Sequence, residues 1–246
     1  MKVTDSIAIV SGAASGIGLA TVSALIQAGA RGVVMADIDE AALHDAAEGL
    51  SKGGATIIPC VTDVADIQSL KDMYAACLER FGTVDIVFNN AGIVTGSPGF
   101  PETSLERTQQ LININVAGVI ISTQIAVSHM KEKGGSIVNT ASTGAFNPNL
   151  VNAPYSTSKA AVVMFSQSCK DLKSLYNINV NAICPGITET PILTKTGGDK
   201  VPEWLSDRMQ TLKIWTADEI AQSVIEIIED DNMFGEYKLL RNPEKT

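Results

Sequence analysis

Ile7-Ala8-Ile9-Val10-Ser11-Gly12-Ala13-Ala14-Ser15-Gly16-Ile17-Gly18 joins a short apolar run to three glycines within twelve residues. Four aliphatic residues in a row suit a buried strand, and the glycines mark a sharp turn into a helix beginning near Gly16. Glycine there allows a tight turn, close approach of the backbone to a pyrophosphate, and close seating of the helix on its sheet. The free N–H groups of the helix's first turn then face the phosphates. The spacing is G-x-x-x-G-x-G rather than G-x-G-x-x-G. By itself such a turn also serves plain packing.

The rest of the chain gives the turn its context. Further strand-length runs follow at Gly32–Ala36, Thr56–Ile58, Val84–Phe88, Ser136–Asn139, Asn179–Ile183 and Tyr237–Leu240. Helix-period stretches lie between them, such as Asp66 to Arg80 with Ile67, Leu70, Met73, Tyr74, Cys77 and Leu78 on one side. Strand–helix alternation of this kind predicts right-handed βαβ units. The expected fold is α/β: a single Rossmann domain over residues 1–246, with a doubly wound parallel seven-stranded sheet and helices on both faces. Thr194 to Val201, rich in Gly, Lys and Thr, lies between the sixth strand and the last long helix. A substrate lid is expected there, at about 191–215.

Asp37 ends the second strand, 19 residues beyond Gly18. A carboxylate there accepts hydrogen bonds from the adenosine ribose hydroxyls and repels a 2′-phosphate. Ala14 and Ser15 precede Gly16, and Ile38 follows Asp37, so no cation stands ready for that phosphate. NAD is therefore expected over NADP.

Composition excludes several classes. A net charge of -9 is wrong for replacing phosphate counterions on nucleic acid, and equally for an anionic membrane surface. Neither partner is expected. Cys60, Cys77, Cys169 and Cys184 form no Cys-x-x-Cys pair, and reduced, buried thiols are expected. His44 and His129 lie far apart without Cys or His neighbours, so no metal site is expected. The N-terminal residues do not read as a signal peptide, and no apolar span of 18 residues was expected from the sequence. A cytoplasmic protein is the default.

Tyr155-Ser156-Thr157-Ser158-Lys159 supplies candidate chemistry. Positions i and i+4 share a helix face, so Lys159 can approach Tyr155. A phenol with a pKa of about 10 is a poor base near neutrality. A neighbouring ammonium and a cationic nicotinamide would both favour phenolate and lower that value. Alone, Y-x-x-x-K is usually a solvated helix face.

Ser11 to Gly18, Asp63-Val64, Asn89-Asn90-Ala91-Gly92, Asn115, Ser142, Tyr155, Lys159 and Pro185-Gly186 together resemble the short-chain dehydrogenase/reductase family. The resemblance runs from Ile7 to about Gly235 and includes a step of 13 residues from Ser142 to Tyr155. It implies that Tyr155 is the general acid/base and that Ser142 holds and polarises the substrate oxygen. Lys159 would bind the nicotinamide ribose and tune Tyr155, and Asn115 would hold a proton-relaying water. For the cofactor it implies Gly12, Ser15, Gly16, Ile17 and Gly18 at the phosphates, with Asp37 and Ile38 at the ribose end. Asp63 and Val64 would line the adenine pocket, and Asn90, Ala91 and Gly92 would lie beside the adenosine ribose. Thr140 would sit behind the nicotinamide. Pro185, Gly186, Ile187 and Thr190 would complete that end, with Ile187 and Thr190 meeting the carboxamide.

Three departures accompany it. Ser11 replaces the usual Thr, Ala141 replaces a frequent Ser, and the ending from Gly235 to Asn242 lacks Val-Asp-Gly-Gly. Ile227 to Gly235, with Asn181 to Gly186, looks like the 15-hydroxyprostaglandin dehydrogenase branch, which implies Asn152 as a substrate contact. The expected reaction is hydride exchange between NAD and a secondary alcohol; a ketone reductase and a non-catalytic dinucleotide sensor are the alternatives. Ile93, Val94, Thr143, Ala145, Leu150, Ile187, Leu193 and Trp204 are the expected pocket walls, with no Arg or Lys among them. A hydrophobic or cyclic substrate follows from that list. The helical stretches Thr103 to Met130 and Ala153 to Leu175 carry apolar residues on several sides, which predicts a homodimer or homotetramer.

Overall fold

The computed structural model describes residues 1–50, 54–195, 200–201 and 203–245. Seven strands form one sheet: β1 (Ile7–Ser11), β2 (Gly32–Asp37), β3 (Thr56–Val61), β4 (Ile86–Asn89), β5 (Gly135–Thr140), β6 (Ile178–Pro185) and β7 (Tyr237–Leu240). Their order is β3-β2-β1-β4-β5-β6-β7, with every neighbour parallel. The expected doubly wound sheet is present.

β1 explains why both faces must be covered. All five of its residues are buried, and successive side chains point to opposite faces. Ala8 and Val10 join Val22 and Leu25 of α1 (Gly16–Gln27) and Ile220 and Val224 of α10 (Ala217–Glu229). Ile7 and Ile9 instead meet Leu70, Met73 and Tyr74 of α3 (Ile67–Phe81) and Ala126 and Met130 of α5 (Val119–Met130). Local signals fix the ends. The Asp66 carboxylate caps α3 through the Ser69 N–H at 2.6 Å, and Gly82 closes it in the left-handed conformation. Thr216 and Glu219 form a capping box on α10. Ile67, placed on the buried side of α3 by periodicity, is 52% exposed.

The long helical stretch is interrupted twice. α4 (Leu105–Ile112) passes through a π turn at Asn113–Gly118 into α5, while Cys169–Asp171 separate α6 (Ala153–Ser168) from α7 (Leu172–Tyr176). Contrary to expectation, Leu105–Met130 is long and apolar enough to cross a membrane by length and composition alone. Here it packs in the core: Leu111, Val119, Ala126 and Met130 are buried, and so are the polar Asn115, Ser122 and Thr123. The remaining helices are α2 (Glu40–Leu50), α8 (Ile192–Lys195) and α9 (Glu203–Thr211). Most of the loop from Thr194 to Pro202 lies outside the described residues.

Sequence-adjacent strands run β1-β2-β3 toward one edge and β4-β5-β6-β7 toward the other. The chain therefore reverses between β1 and β4, and a crevice opens at their carboxyl ends. Residues Gly12 and Asn90, just past those strands, line it.

Candidate active site

A cleft of about 1000 Å³ occupies that crevice. Its floor is the glycine-rich turn. Gly12 has φ +65°, and a Cβ there would stand 2.9 Å from Asn90 Nδ2 and 3.0 Å from Ala91 Cα. The Ser11 hydroxyl ties the two loops together by accepting the N–H groups of Asn90 at 3.0 Å and Ala91 at 3.1 Å. Serine in place of the usual threonine thus still supplies the hydroxyl that makes this tie. Gly12, Ser15, Gly16 and Ile17 line the cleft; Gly18 does not. A Cβ on Gly18 would lie 2.0 Å from the Gly12 carbonyl oxygen, so Gly18 lets the helix pack on the turn rather than touching a ligand.

The start of α1 is open to an anion. Ser15 makes no side-chain cap, and the first turn carries no acidic residue, so its N–H groups point at the cleft unclaimed by a side chain. At the far end of β2, one Asp37 oxygen accepts the Ala14 N–H at 3.1 Å and the other accepts the Asp39 N–H at 3.1 Å. These bonds fix the carboxylate at the lip. Ile38, 67% exposed, lines the cleft with Asp63, Val64, Asn90, Ala91 and Gly92. The cradle, the uncapped helix and the carboxylate fit a nicotinamide dinucleotide.

The chemistry-bearing residues meet at the other end. Ser142 ends β5's extension into a 3-10 turn, where its Oγ accepts the Gly144 N–H at 3.0 Å, and a Cβ on Gly144 would stand 3.3 Å from that Oγ and 3.6 Å from the Tyr155 ring. Tyr155 lies in the first turn of α6. Burial pushes its pKa upward, and the Ser142 side chain offsets this only partly. The expected lowering by Lys159 therefore does not set the shift; desolvation does, and it raises the value. Lys159 is 3% exposed. Its ammonium donates to the Thr140 carbonyl at 2.8 Å, and burial depresses its pKa to about 8.

Asn115 is fully buried in the π turn. Its Oδ1 accepts the Ile93 N–H at 2.9 Å, and its Nδ2 donates to the Ile93 carbonyl at 2.9 Å and to Ser158 Oγ at 3.1 Å. Both Nδ2 hydrogens are thereby engaged, so Asn115 has only carbonyl oxygens to offer a water. A Cβ on Gly92 would stand 3.3 Å from both Asn115 Oδ1 and Lys159 Nζ. The two residues thus converge there.

Asn152, Thr140, Pro185, Gly186, Ile187 and Thr190 also line the cleft. The peptide of Ile187, however, is not free for a carboxamide. Its N–H goes to Asn242 Oδ1 at 2.6 Å, and its carbonyl accepts from Asn242 Nδ2 at 2.8 Å and the Trp215 N–H at 3.1 Å. Thr188, which the sequence did not single out, follows it on the cleft wall. Ala145 is also displaced from its expected place: it packs beneath Val162 and Cys184 instead. The Trp204 side chain lies outside the described residues.

Arg107 and Arg208 line the cleft against expectation. Arg107 is engaged, donating to the Val94 carbonyl at 2.7 Å, the Thr95 carbonyl at 3.3 Å and Gln110 Oε1 at 2.9 Å. Arg208 is exposed on α9. A single sequence carries no signal for either, because only the fold carries α4 and α9 to the mouth. Among the described residues no cluster of His, Cys, Asp and Glu could hold a metal.

Comparison with known proteins adds a family, two relatives and two solved structures. The sequence pattern of the family described as short chain dehydrogenase matches residues 6–200. The 3-oxoacyl-(acyl-carrier-protein) reductase FabG of Thermotoga maritima is 32% identical over 238 residues, covering 95% of this chain and 94% of that protein. The protein named Probable oxidoreductase EphD of Mycobacterium tuberculosis is 32% identical over 237 residues, 92% of this chain, which spans only 40% of that relative's length. Among solved structures, a 3-ketoacyl-(acyl-carrier-protein) reductase from Brucella melitensis complexed with NADH superposes with a TM-score of 0.87 at 26% identity, covering 97% of each chain. A short chain dehydrogenase from Burkholderia cenocepacia in complex with NADP gives 0.88 at 27% identity, covering 98% of each.

Proposed function

The chain belongs to the short-chain dehydrogenase family, and from that premise we propose that it exchanges a hydride between NAD and a secondary alcohol, with Tyr155 as general acid/base. The observation that carries this reading is the convergence of Ser142, Tyr155 and a buried Lys159 on one end of the cleft.

The residues divide the work as follows. Ser142 holds the substrate oxygen within reach of the Tyr155 hydroxyl, which takes the alcohol proton on oxidation and returns it on reduction. Lys159 holds the nicotinamide ribose hydroxyls and, as a buried cation, favours phenolate when the alcohol is oxidised. The Asn115 main-chain carbonyl holds a water beside Lys159 that carries the proton outward. Asn152 meets the substrate, and Thr140 backs the nicotinamide end. The cofactor, when bound, gives or accepts the hydride.

Asp37 favours NAD, because its anchored carboxylate would repel a 2′-phosphate and Ile38 offers that phosphate no partner. Ile93, Val94, Leu150, Ile187, Leu193 and Leu205 supply apolar wall, which suits a hydrophobic or cyclic alcohol. The part of the chain that resembles 15-hydroxyprostaglandin dehydrogenases lies outside these walls, apart from Pro185 and Gly186, and does not define the substrate. A homodimer or homotetramer in the cytoplasm completes the reading.

One observation favours net ketone reduction as a second reading: burial holds Tyr155 as the phenol, the form that donates a proton. The test is cofactor fluorescence with a panel of secondary alcohols plus NAD, and of ketones plus NADH. Turnover on apolar or cyclic members in either direction supports the reading; no turnover across both panels overturns it.

A further inference from the structure

We propose that Asn242, on the C-terminal tail, is a positioning residue for the nicotinamide end of the cofactor. This rests on the reading that a nicotinamide dinucleotide fills the cleft.

Asn242 does not line the cleft; it stands behind its wall. Its side-chain amide forms a reciprocal pair with one peptide, accepting the Ile187 N–H at 2.6 Å and donating to the Ile187 carbonyl at 2.8 Å. The same Nδ2 donates to the Lys213 carbonyl at 3.0 Å. The approach requires glycine at 186, where a Cβ would stand 2.1 Å from Asn242 Oδ1. Four residues that follow β6, Gly186, Ile187, Thr188 and Thr190, form the cleft wall between the glycine-rich turn and the Tyr155–Lys159 pair. Thr190 adjoins Gly16, since a Cβ on Gly16 would lie 3.1 Å from Thr190 Cγ2. A dinucleotide whose phosphates lie on that turn must pass this wall to bring its nicotinamide to Tyr155.

The tail also grips the far side of α9. Pro243 accepts the Lys213 N–H at 2.8 Å, Thr211 accepts the Lys245 N–H at 2.8 Å, and Leu212 bridges Glu244 in antiparallel fashion. Lys245 Nζ reaches the Met209 carbonyl at 2.8 Å. Asn242 therefore links the wall after β6 to the base of the helix that carries Leu205 and Arg208 over the cleft. With the Ile187 peptide locked, the Thr188 peptide is presented to the ligand in a fixed orientation. Ordering the wall before binding removes that cost from the affinity.

ADP-ribose, which contains all of NAD except the nicotinamide ring, separates the two ends of the site. Calorimetric titration of NADH and ADP-ribose is made on the unmodified protein, Asn242→Ala and Asn242→Asp. Both variants should lose about tenfold in NADH affinity while ADP-ribose affinity stays within about twofold. Asn242→Asp keeps the size and the acceptor for the Ile187 N–H, but it sets a carboxylate against two carbonyls, so it carries the test if the alanine variant fails to fold. Equal losses for both ligands, or unchanged NADH affinity, overturn the proposal. If the unmodified protein binds neither ligand, the cofactor reading itself falls.

Discussion

Lys159 and Tyr155 stand one helical turn apart, yet the Lys159 ammonium lies 5.8 Å from the centre of the Tyr155 ring and gives its hydrogen bond to the Thr140 carbonyl. The cation therefore acts on the phenol through space, in a site with little water to screen it. Two opposite costs of burial meet here. The phenolate is disfavoured, and so is the ammonium that would stabilise it.

Replacing Tyr155 with Phe removes one oxygen and little volume. Alcohol oxidation should fall by about 10²–10⁴, while NADH binding measured by fluorescence titration changes little. Because burial raises the pKa of Tyr155, oxidation by the unmodified protein should still be climbing at mildly alkaline pH, while ketone reduction, which uses the phenol, should hold level there. Near-normal turnover in Tyr155→Phe would remove Tyr155 from the mechanism.

Lys159→Met should stabilise the unliganded fold near neutrality. The folded amine has a pKa of about 8 against an ordinary 10.5. Below about 8 both folded and unfolded states are charged, and the burial cost counts fully against folding. From 8 to 10.5 the folded state has shed its proton while the unfolded chain retains it, so stability recovers as pH rises. The variant's gain is at most ~3 kcal/mol, lessened by a Thr140 carbonyl left without its donor. Urea unfolding at about pH 7 and about pH 10 should show the gain shrinking. An equal difference at both pH values would mean that the ammonium is not buried as described.

Asp37→Ala with Ile38→Arg should shift preference toward NADP. The first change removes the anchored carboxylate, and the second places a guanidinium at an exposed position on the cleft lip. The ratio of kcat/KM for the two cofactors reads the effect, with a shift of at least tenfold expected. An unmodified protein that prefers NADP would refute the reading of β2.

Assembly should depend on residues that the protomer leaves uncovered. Leu111, Val119 and Val162, apolar residues of the two stretches from which an oligomer is expected, are buried within the chain, whereas Leu105 is 83% exposed, Met164 64% and Ile120 37%. Ile120→Asp with Met164→Lys should shift light scattering from oligomer to monomer at micromolar concentration, because each apolar side chain so buried contributes about 1.5–3 kcal/mol. A monomeric unmodified protein would count against any such interface.

The fold was legible where one residue pattern admits one solution. Ile7 to Val10 must be buried on both faces, and Gly12 and Gly18 must lack side chains. Tyr155 and Lys159 share the cleft as their i, i+4 spacing implied, and Ser142 joins them there as the family resemblance implied. What the sequence could not supply was direction. It placed Ile187 on the cleft wall without revealing that its peptide faces Asn242, 55 residues away. It placed Asn115 beside Lys159 without revealing that its amide is consumed by Ile93. Arg107 and Arg208 reach the mouth through tertiary packing alone, and Tyr155's acidity depends on desolvation, which has no local pattern.

The π turn at Asn113–Gly118 breaks an otherwise α-helical run from Leu105 to Met130. A π turn carries one residue more than the α-helical turns around it, so the register of α4 is offset from that of α5. A single-residue deletion inside it would mend the hydrogen-bond ladder and give a more regular helix. It would also close the widened turn that sets the Asn115 side chain on the Ile93 backbone and Ser158, while Ser122 and Thr123 downstream keep their phase toward Asn89. Breeding this protein for stability by smoothing its helices would therefore meet an obstacle here, where regularity and the site compete for the same residue.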